Sequence, residues 1–327
     1  MRLYAKDNIT GILSGMADKD HFSHAVMFTG AAGSGRKTAA LITASYLMCE
    51  NRKEPCLTRD IPPENMCRHC RRILEGTHPD VIIPERNGKS MIYKVETIRD
   101  AVSDAYVMPN DCDKKLYIFP DSENIQKQSQ NTLLKIIEEP PDMCYFVFTA
   151  QSREALLPTM LSRLVSIPVH SPSEEDCLSE LIARGTDRQA AEDAVSVFHG
   201  NIGKCLEYLS NDDIKANVIA AQSFMNAMTA SNEYEMLRSL ASVGESRDRL
   251  KSVLTLCLDI LRDGLALRTG SGVLSGCSRE ISKKIASGFS YQRMTAVYDS
   301  FFSVLGYIEI NANVSAAAAL ITADTVR

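Results

Sequence analysis

Over the first half of the chain, short apolar runs closed by turn residues alternate with longer stretches whose apolar positions recur at helical spacing. Residues 26–28, 81–83, 115–119 and 145–148 are apolar and short, which predicts buried strands. Between them, residues 38–48, 95–106 and 125–139 predict helices. Ala39, Leu41, Ile42, Tyr46 and Leu47 give the first of these an inward side, and Leu133, Leu134, Ile136 and Ile137 do the same for the third. Pro140 and Pro141 stop the third helix, because proline has no backbone N–H and disfavours a helical residue before it. Residues 1–22 read as a lead-in helix and connector, residues 86–90 as a variable loop, and Pro158-Thr159-Met160-Leu161 as a short helix running into Ser162-Arg163. Strands alternating with helices predict a mostly parallel sheet with flanking helices and with ligands at the strand ends.

Past Pro168 the pattern changes, and apart from one short bend it reads as helices to residue 327. Helices are predicted at 171–184 and 189–199, with a turn at 200–203 before a third. Beyond about Asp212 the helical period is clearest in Leu250, Val253, Leu254, Cys257, Leu258 and Leu261, preceded by Phe224, Met228, Leu237 and Leu240, all expected in a helical core. The expected organisation is an α/β domain at 1–168, a small helical lid at 169–210 and an all-α domain at 211–327. A chain of 327 residues is long enough for two or three such cores.

The formal net charge of -5, with the acidic excess after residue 170, argues against a protein that grips nucleic acid alone through a broad basic face. No charged leader precedes an apolar run and no apolar stretch approaches the ~20 residues that span a bilayer, so the expected location is the cytoplasm. Six of the ten cysteines are scattered singly, unlike a secreted disulfide scaffold.

Chemistry concentrates first at residues 24–38, where a strand runs into a glycine loop and then a helix. That is the layout of a phosphate-binding loop, in which glycines let backbone N–H groups converge on phosphate, a lysine neutralises charge and a Ser or Thr hydroxyl holds Mg²⁺. The candidate nucleotide residues are Gly30, Gly33, Gly35, Arg36, Lys37 and Thr38. Gly30 opens the loop and Gly35 closes it, but Arg36 stands at the lysine position and Lys37 at the hydroxyl position. Thr38 comes one residue late, a slip that turns a helical side chain by about 100°. The residues therefore predict a nucleotide fold with weakened nucleotide chemistry; a ligand-free glycine turn is the alternative. At the end of the 115–119 strand, where a hydrolase carries an acidic pair for Mg²⁺ and water, Pro120 precedes Asp121, and Asp121 reads most simply as a helix start with Ser122 and Glu123.

The second concentration is Cys49, Cys56, Cys67 and Cys70, closed by a Cys-x-x-Cys turn. Two thiolates on one side of a tight turn and two more nearby can complete a tetrahedral zinc site within a module at 49–78. Its role would be structural, since four protein ligands leave no open position. His69 and His78 are replacement candidates, and four unliganded thiols are the alternative.

Taken with Gly76-Thr77-His78-Pro79-Asp80, residues 131–141 and residues 158–163, these features resemble the clamp-loader branch of the AAA+ family. The resemblance is strong over residues 20–168 and rests mainly on helical content beyond the lid. It implies an AAA+ domain with an inserted zinc module, a helical lid and a C-terminal oligomerisation collar. It also implies that Arg163 reaches in trans into a neighbouring subunit's ATP, although the family's Ser-Arg-Cys stands here as Ser162-Arg163-Leu164. Motor subunits of the family carry a full phosphate loop, an Asp-Glu pair and a lid arginine; here stand Arg36-Lys37, Pro120 and, by alignment, Gly203. Three losses in one pocket imply a stator with doubtful ATP binding. Its implied partners are gamma/tau-type motor subunits, a delta subunit, the sliding clamp and primer-template DNA. An active gamma/tau-type ATPase and a self-contained P-loop kinase or DNA-repair ATPase are the competing readings; Pro120 counts against the first, and no acceptor-substrate site supports the second.

Overall fold

The computed structural model describes residues 6–18, 22–59, 61–86, 91–270, 274, 276–310 and 312–326. Of the loop expected at 86–90, only Arg86 lies within them. The chain divides into two units, Met1–Pro172 and Ser173–Arg327.

In the first unit the elements follow as α1 (Lys6–Asp18), β1 (Ala25–Thr29), α2 (Arg36–Met48), α3 (Arg68–Glu75), β2 (Val81–Ile82), α4 (Val95–Asp104), β3 (Lys115–Phe119), α5 (Lys127–Glu138), β4 (Cys144–Ala150), α6 (Pro158–Leu161) and β5 (Val165–Pro168). The strands form one parallel sheet in the order β2-β3-β4-β1-β5. Successive side chains of a strand point to opposite faces, and helices cover both. Val26, Phe28, Leu116, Ile118, Tyr145 and Val147 pack with Ile9 and Leu13 of α1 and Leu41, Ile42 and Leu47 of α2. Met27, Tyr117, Phe119, Phe146 and Phe148 pack with Ile98 of α4, Leu133, Ile136 and Ile137 of α5, and Met160 of α6. Central strands buried on both faces explain why the sequence shows continuous apolar runs there.

Two elements have no counterpart in the sequence pattern. Strand β5 is half exposed at the sheet edge, so only Ile167 in it is buried, and Pro168 closes it where a missing N–H costs least. Helix α3 is two turns long and begins at Cys67, whose side chain accepts from the Cys70 N–H; it ends at Gly76, in the left-handed conformation at φ 70°.

Loops between these elements are fastened by buried charge. Lys115, 2% exposed, donates to the Asp104 and Val107 carbonyls and to the Asp104 carboxylate, so a cation sits at the C-terminal end of α4. Asp80, just before β2, is fully buried, and its carboxylate accepts backbone N–H groups from Asn110, Asp111 and Cys112 at 2.6, 2.8 and 2.9 Å.

The second unit is helical: α7 (Glu174–Ala183), α8 (Arg188–Phe198), α9 (Ile202–Ser210), α10 (Asp212–Thr229), α11 (Glu233–Ala241), α12 (Arg247–Thr269), α13 (Arg279–Gly288), α14 (Tyr291–Glu309) and α15 (Val314–Val326). Side-chain caps begin most of them, among them Ser173, Asp187, Asn201, Asn232 and Ser246, each accepting a first-turn N–H. A single apolar core runs from Cys177 and Leu181 through Phe224, Leu254 and Leu261 to Phe301 and Ile321, so residues 174–210 and 212–326 share one core. Leu237 departs from its expected place: it is 44% exposed, because the inward stripe of α11 runs through Met236 and Leu240, four residues apart.

The Asp80 contacts make a prediction about the first unit. Burial raises the Asp80 pKa, but the N–H groups of Asn110, Asp111 and Cys112 outweigh it and hold the carboxyl below its usual value. Asp80→Ala strands those three donors and should destabilise the unit by about 3 kcal/mol at neutral pH. Because the folded-state pKa is depressed, the stabilisation is complete above the usual carboxylate range and fades as pH falls through the lowered value. Urea unfolding followed by circular dichroism at pH 7 and near pH 3 should show the gap between the two proteins narrowing in acid.

Candidate nucleotide pocket and metal centre

The glycine loop joins β1 to α2, and its geometry demands its glycines. A Cβ on Gly30 would lie 2.3 Å from the Val169 carbonyl oxygen and 2.8 Å from Ser34 Oγ. Gly33 and Gly35 adopt φ of 81° and 98°, the left-handed region that other residues enter at a cost. Gly35 stands immediately before α2, whose first N–H groups face the loop.

Charged side chains of opposite sign gather beside that loop. Arg36 is 7% exposed, and its Nη2 lies 3.4 Å from Asp121 Oδ1, while its Nη1 lies 4.0 Å from Glu123 Oε1. Arg86 Nη1 donates to the other Asp121 oxygen at 2.7 Å. Lys37 is exposed and Thr38 partly buried. Pro120 offers only its carbonyl, which accepts from the Tyr93 hydroxyl at 2.6 Å. Asp121 sits at φ 47°, and its N–H donates to Thr149 Oγ1 at 3.1 Å. Of the expected loop residues, Arg36 reaches Asp121; Glu123, expected at the same helix start, adds its charge, and Arg86 and Thr149 complete the cluster with no signal in the sequence spacing.

Arg163 follows α6 and precedes the edge strand β5. It is exposed, ion-paired with Glu138 at the end of α5, and donates to the Thr159 carbonyl at 2.6 Å and to Ser162 Oγ at 3.0 Å. Gly203 lies in the first turn of α9, where it offers no side chain.

The four clustered cysteines converge. Cys49 ends α2, Cys56 opens a short 3₁₀ turn, and Cys67 and Cys70 flank the start of α3. Cys49 Sγ lies 3.7 Å from Cys56 Sγ and 3.8 Å from Cys67 Sγ, and all four sulfurs are within 4.8 Å of one another, unbridged. Metal–sulfur bonds of about 2.3 Å in a tetrahedron place sulfurs roughly 3.8 Å apart, so this set can hold one metal ion. Backbone N–H groups of Cys67 and Cys70 point at Cys56 and Cys67 sulfurs, each at 3.4 Å, and favour thiolate. The Cys70 thiol bonds to Cys49, which draws Cys49 down to about 5 and drives Cys70 up. A divalent cation would displace that shared proton and neutralise the crowded sulfurs.

His69 and His78 stand apart from this set and form a trio with Cys112. His69 Nδ1 is 3.0 Å from His78 Nε2, and Cys112 Sγ is 3.4 and 3.8 Å from those atoms. The Asp80 N–H donates to His78 Nδ1 at 3.1 Å, so in the neutral ring the proton belongs on Nε2, aimed at His69. Burial, with the neighbouring His69 next, lowers the His78 pKa and favours that neutral ring. The trio is therefore a hydrogen-bonded clasp between α3, the turn before β2 and the loop before β3. Cys112, 43 residues after His69, had no spacing that announced it.

Among the described residues no helix is long and apolar enough to cross a membrane. The family model described as DNA polymerase III, delta subunit, matches residues 5–173. The chain is 25% identical to DNA polymerase III subunit delta' of Bacillus subtilis over 265 residues, covering 80% of this chain and 77% of that one. It is 30% identical to subunit delta' of Yersinia pestis, covering 53% of this chain and 49% of the relative. With subunit tau of Bacillus subtilis it shares 31% identity over 48% of this chain and 26% of tau, so it spans half or less of the latter two relatives. A solved DNA polymerase III gamma subunit-related protein from Thermotoga maritima superposes with a TM-score of 0.51 at 16% identity, covering 98% of both chains, which is a likeness of fold. With its parallel sheet, its glycine loop and a family match over more than half its length, the chain belongs to the DNA polymerase III delta subunit family, in its delta-prime branch.

Proposed function

We propose that this clamp-loader subunit is a stator: it holds the nucleotide fold without hydrolysing ATP, and helps a ring of gamma/tau-type motor subunits and a delta subunit to load the sliding clamp onto primer-template DNA. The observation that carries the reading is Arg36, buried at the phosphate-loop lysine position and paired with Asp121 of its own chain. Pro120 supports it, since its side chain can hold neither Mg²⁺ nor water. Residues 169–210 would be the lid and 211–327 the collar that joins the ring. Arg163 would be the group that acts on a neighbour's ATP; it stands exposed between α6 and the edge strand, and would have to give up its Glu138 pair and its bonds to Thr159 and Ser162. The four-cysteine site would hold structural zinc, whose preference for tetrahedral thiolate matches the sulfur spacing. An active gamma/tau-type subunit would need Lys37 and Thr38 at the phosphates, and Lys37 is turned to solvent.

Three outcomes are expected. Purified chain should hydrolyse ATP no faster than buffer; turnover that disappears in Lys37→Ala would contradict the stator reading. Metal analysis should find one zinc per chain, and chelation should unfold the module locally, since structural zinc contributes on the order of 10 kcal/mol; less than about half an equivalent in fresh protein would count against zinc. Arg163→Ala should leave folding, zinc content and ring assembly intact while slowing DNA-stimulated ATP hydrolysis and clamp loading by the reconstituted complex. A trans-acting arginine is worth roughly 10³ to 10⁵ in rate at the site it serves, and an unchanged loading rate would reduce Arg163 to a surface residue.

A further inference from the structure

We propose that Asp121 is an internal substitute for a phosphate group, and that its carboxylate is what keeps polyphosphate out of the glycine loop. The inference rests on the non-hydrolysing reading and names the residue that enforces it. A guanidinium that is 93% buried, by its 7% exposure, requires an anion, and in a phosphate loop that anion is the ligand. Here Asp121 presents one oxygen to Arg36 Nη2 at 3.4 Å and the other to Arg86 Nη1 at 2.7 Å, a two-cation clamp on one planar anion.

The surroundings keep the shape of an anion site. Gly33 and Gly35 hold the left-handed turns that lead into α2, a helix of 13 residues. Beside them, Ser34 Oγ, Arg36 Nη1 and Glu123 Oε2 are buried and make no hydrogen bond. Glu123, 4.0 Å from Arg36 Nη1, adds a second negative charge at the rim. Asp121 itself is fixed at φ 47° by its N–H bond to Thr149 Oγ1, and Pro120 before it is held through its carbonyl by Tyr93. The carboxylate is thus delivered to the loop from the end of β3, where it opposes any incoming phosphate both by charge and by holding the guanidinium.

Neutralising that one side chain should turn the loop into a receptor for free polyphosphate. The probe is inorganic tripolyphosphate without magnesium, titrated into the full chain by calorimetry and followed by thermal shift. Wild-type protein should give no binding at millimolar concentration. Asp121→Asn should bind at least about tenfold more tightly, the scale expected when a like charge within a few ångström is removed from a half-buried site. The gain should vanish in the double variant Asp121→Asn with Arg36→Gln. Asp121→Ser carries the same test where the Asn variant does not fold; if neither folds, the carboxylate is a structural requirement and the proposal is overturned. It is overturned equally by binding no tighter than wild type, or by a gain that survives loss of Arg36. ATP turnover by the wild-type chain would instead overturn the stator reading, so the two failures are separable.

Discussion

A buried cation must be given a counter-charge, and in this chain the cation at the head of α2 finds it in the protein itself. Arg36 cannot reach solvent at 7% exposure, and moving a charge out of water without a partner is far costlier than any single packing contact. Asp121 therefore has to stand where it does, in a left-handed conformation that an aspartate tolerates better than most residues. That requirement ties the end of β3 to the start of α2 across the sheet and gives the glycine loop a fixed shape. The family's architecture survives because the phosphate's electrostatic role has been taken over by a side chain.

The cysteine module obeys the same logic with the sign reversed. Four sulfurs crowded within 4.8 Å cannot all ionise unless a cation neutralises them. Around that set the structure adds further fasteners: Asp80 collects three backbone N–H groups, and the His69, His78 and Cys112 clasp binds α3 to the loop before β3. The module is thus anchored to the sheet through Asp80, whose own carbonyl accepts from the Leu116 N–H in β3.

The sequence made legible those features that repeat or cluster. Buried strands β1, β3 and β4 and the core of α12 announced themselves through unbroken apolar runs and helical spacing, and the glycine loop and the four cysteines through local motifs. Strand β5 was hidden because an edge strand needs only one buried side, and α3 because two turns are too short for a helical spacing to repeat. Arg86, Thr149 and Cys112 were invisible for a different reason: each reaches its partners through the fold, from sequence positions dozens of residues away. Asp121 was noticed as the remnant of an acidic pair and read as a helix start; its contact with Arg36, 85 residues earlier, gives it the larger role. Leu237 shows the converse limit: its helical spacing with Leu240 places it in the core, but packing turns α11 so that Met236 and Leu240 face inward and Leu237 is exposed.

The central claim, that the phosphate loop is closed by the chain's own charges, is tested most directly by a crystal structure of the intact chain grown with saturating magnesium ATP. The account predicts a loop free of nucleotide with Arg36 still on Asp121 and Arg86 still on the same carboxylate. Nucleotide phosphates seated between Gly30 and Gly35, with Asp121 displaced from Arg36, would contradict it.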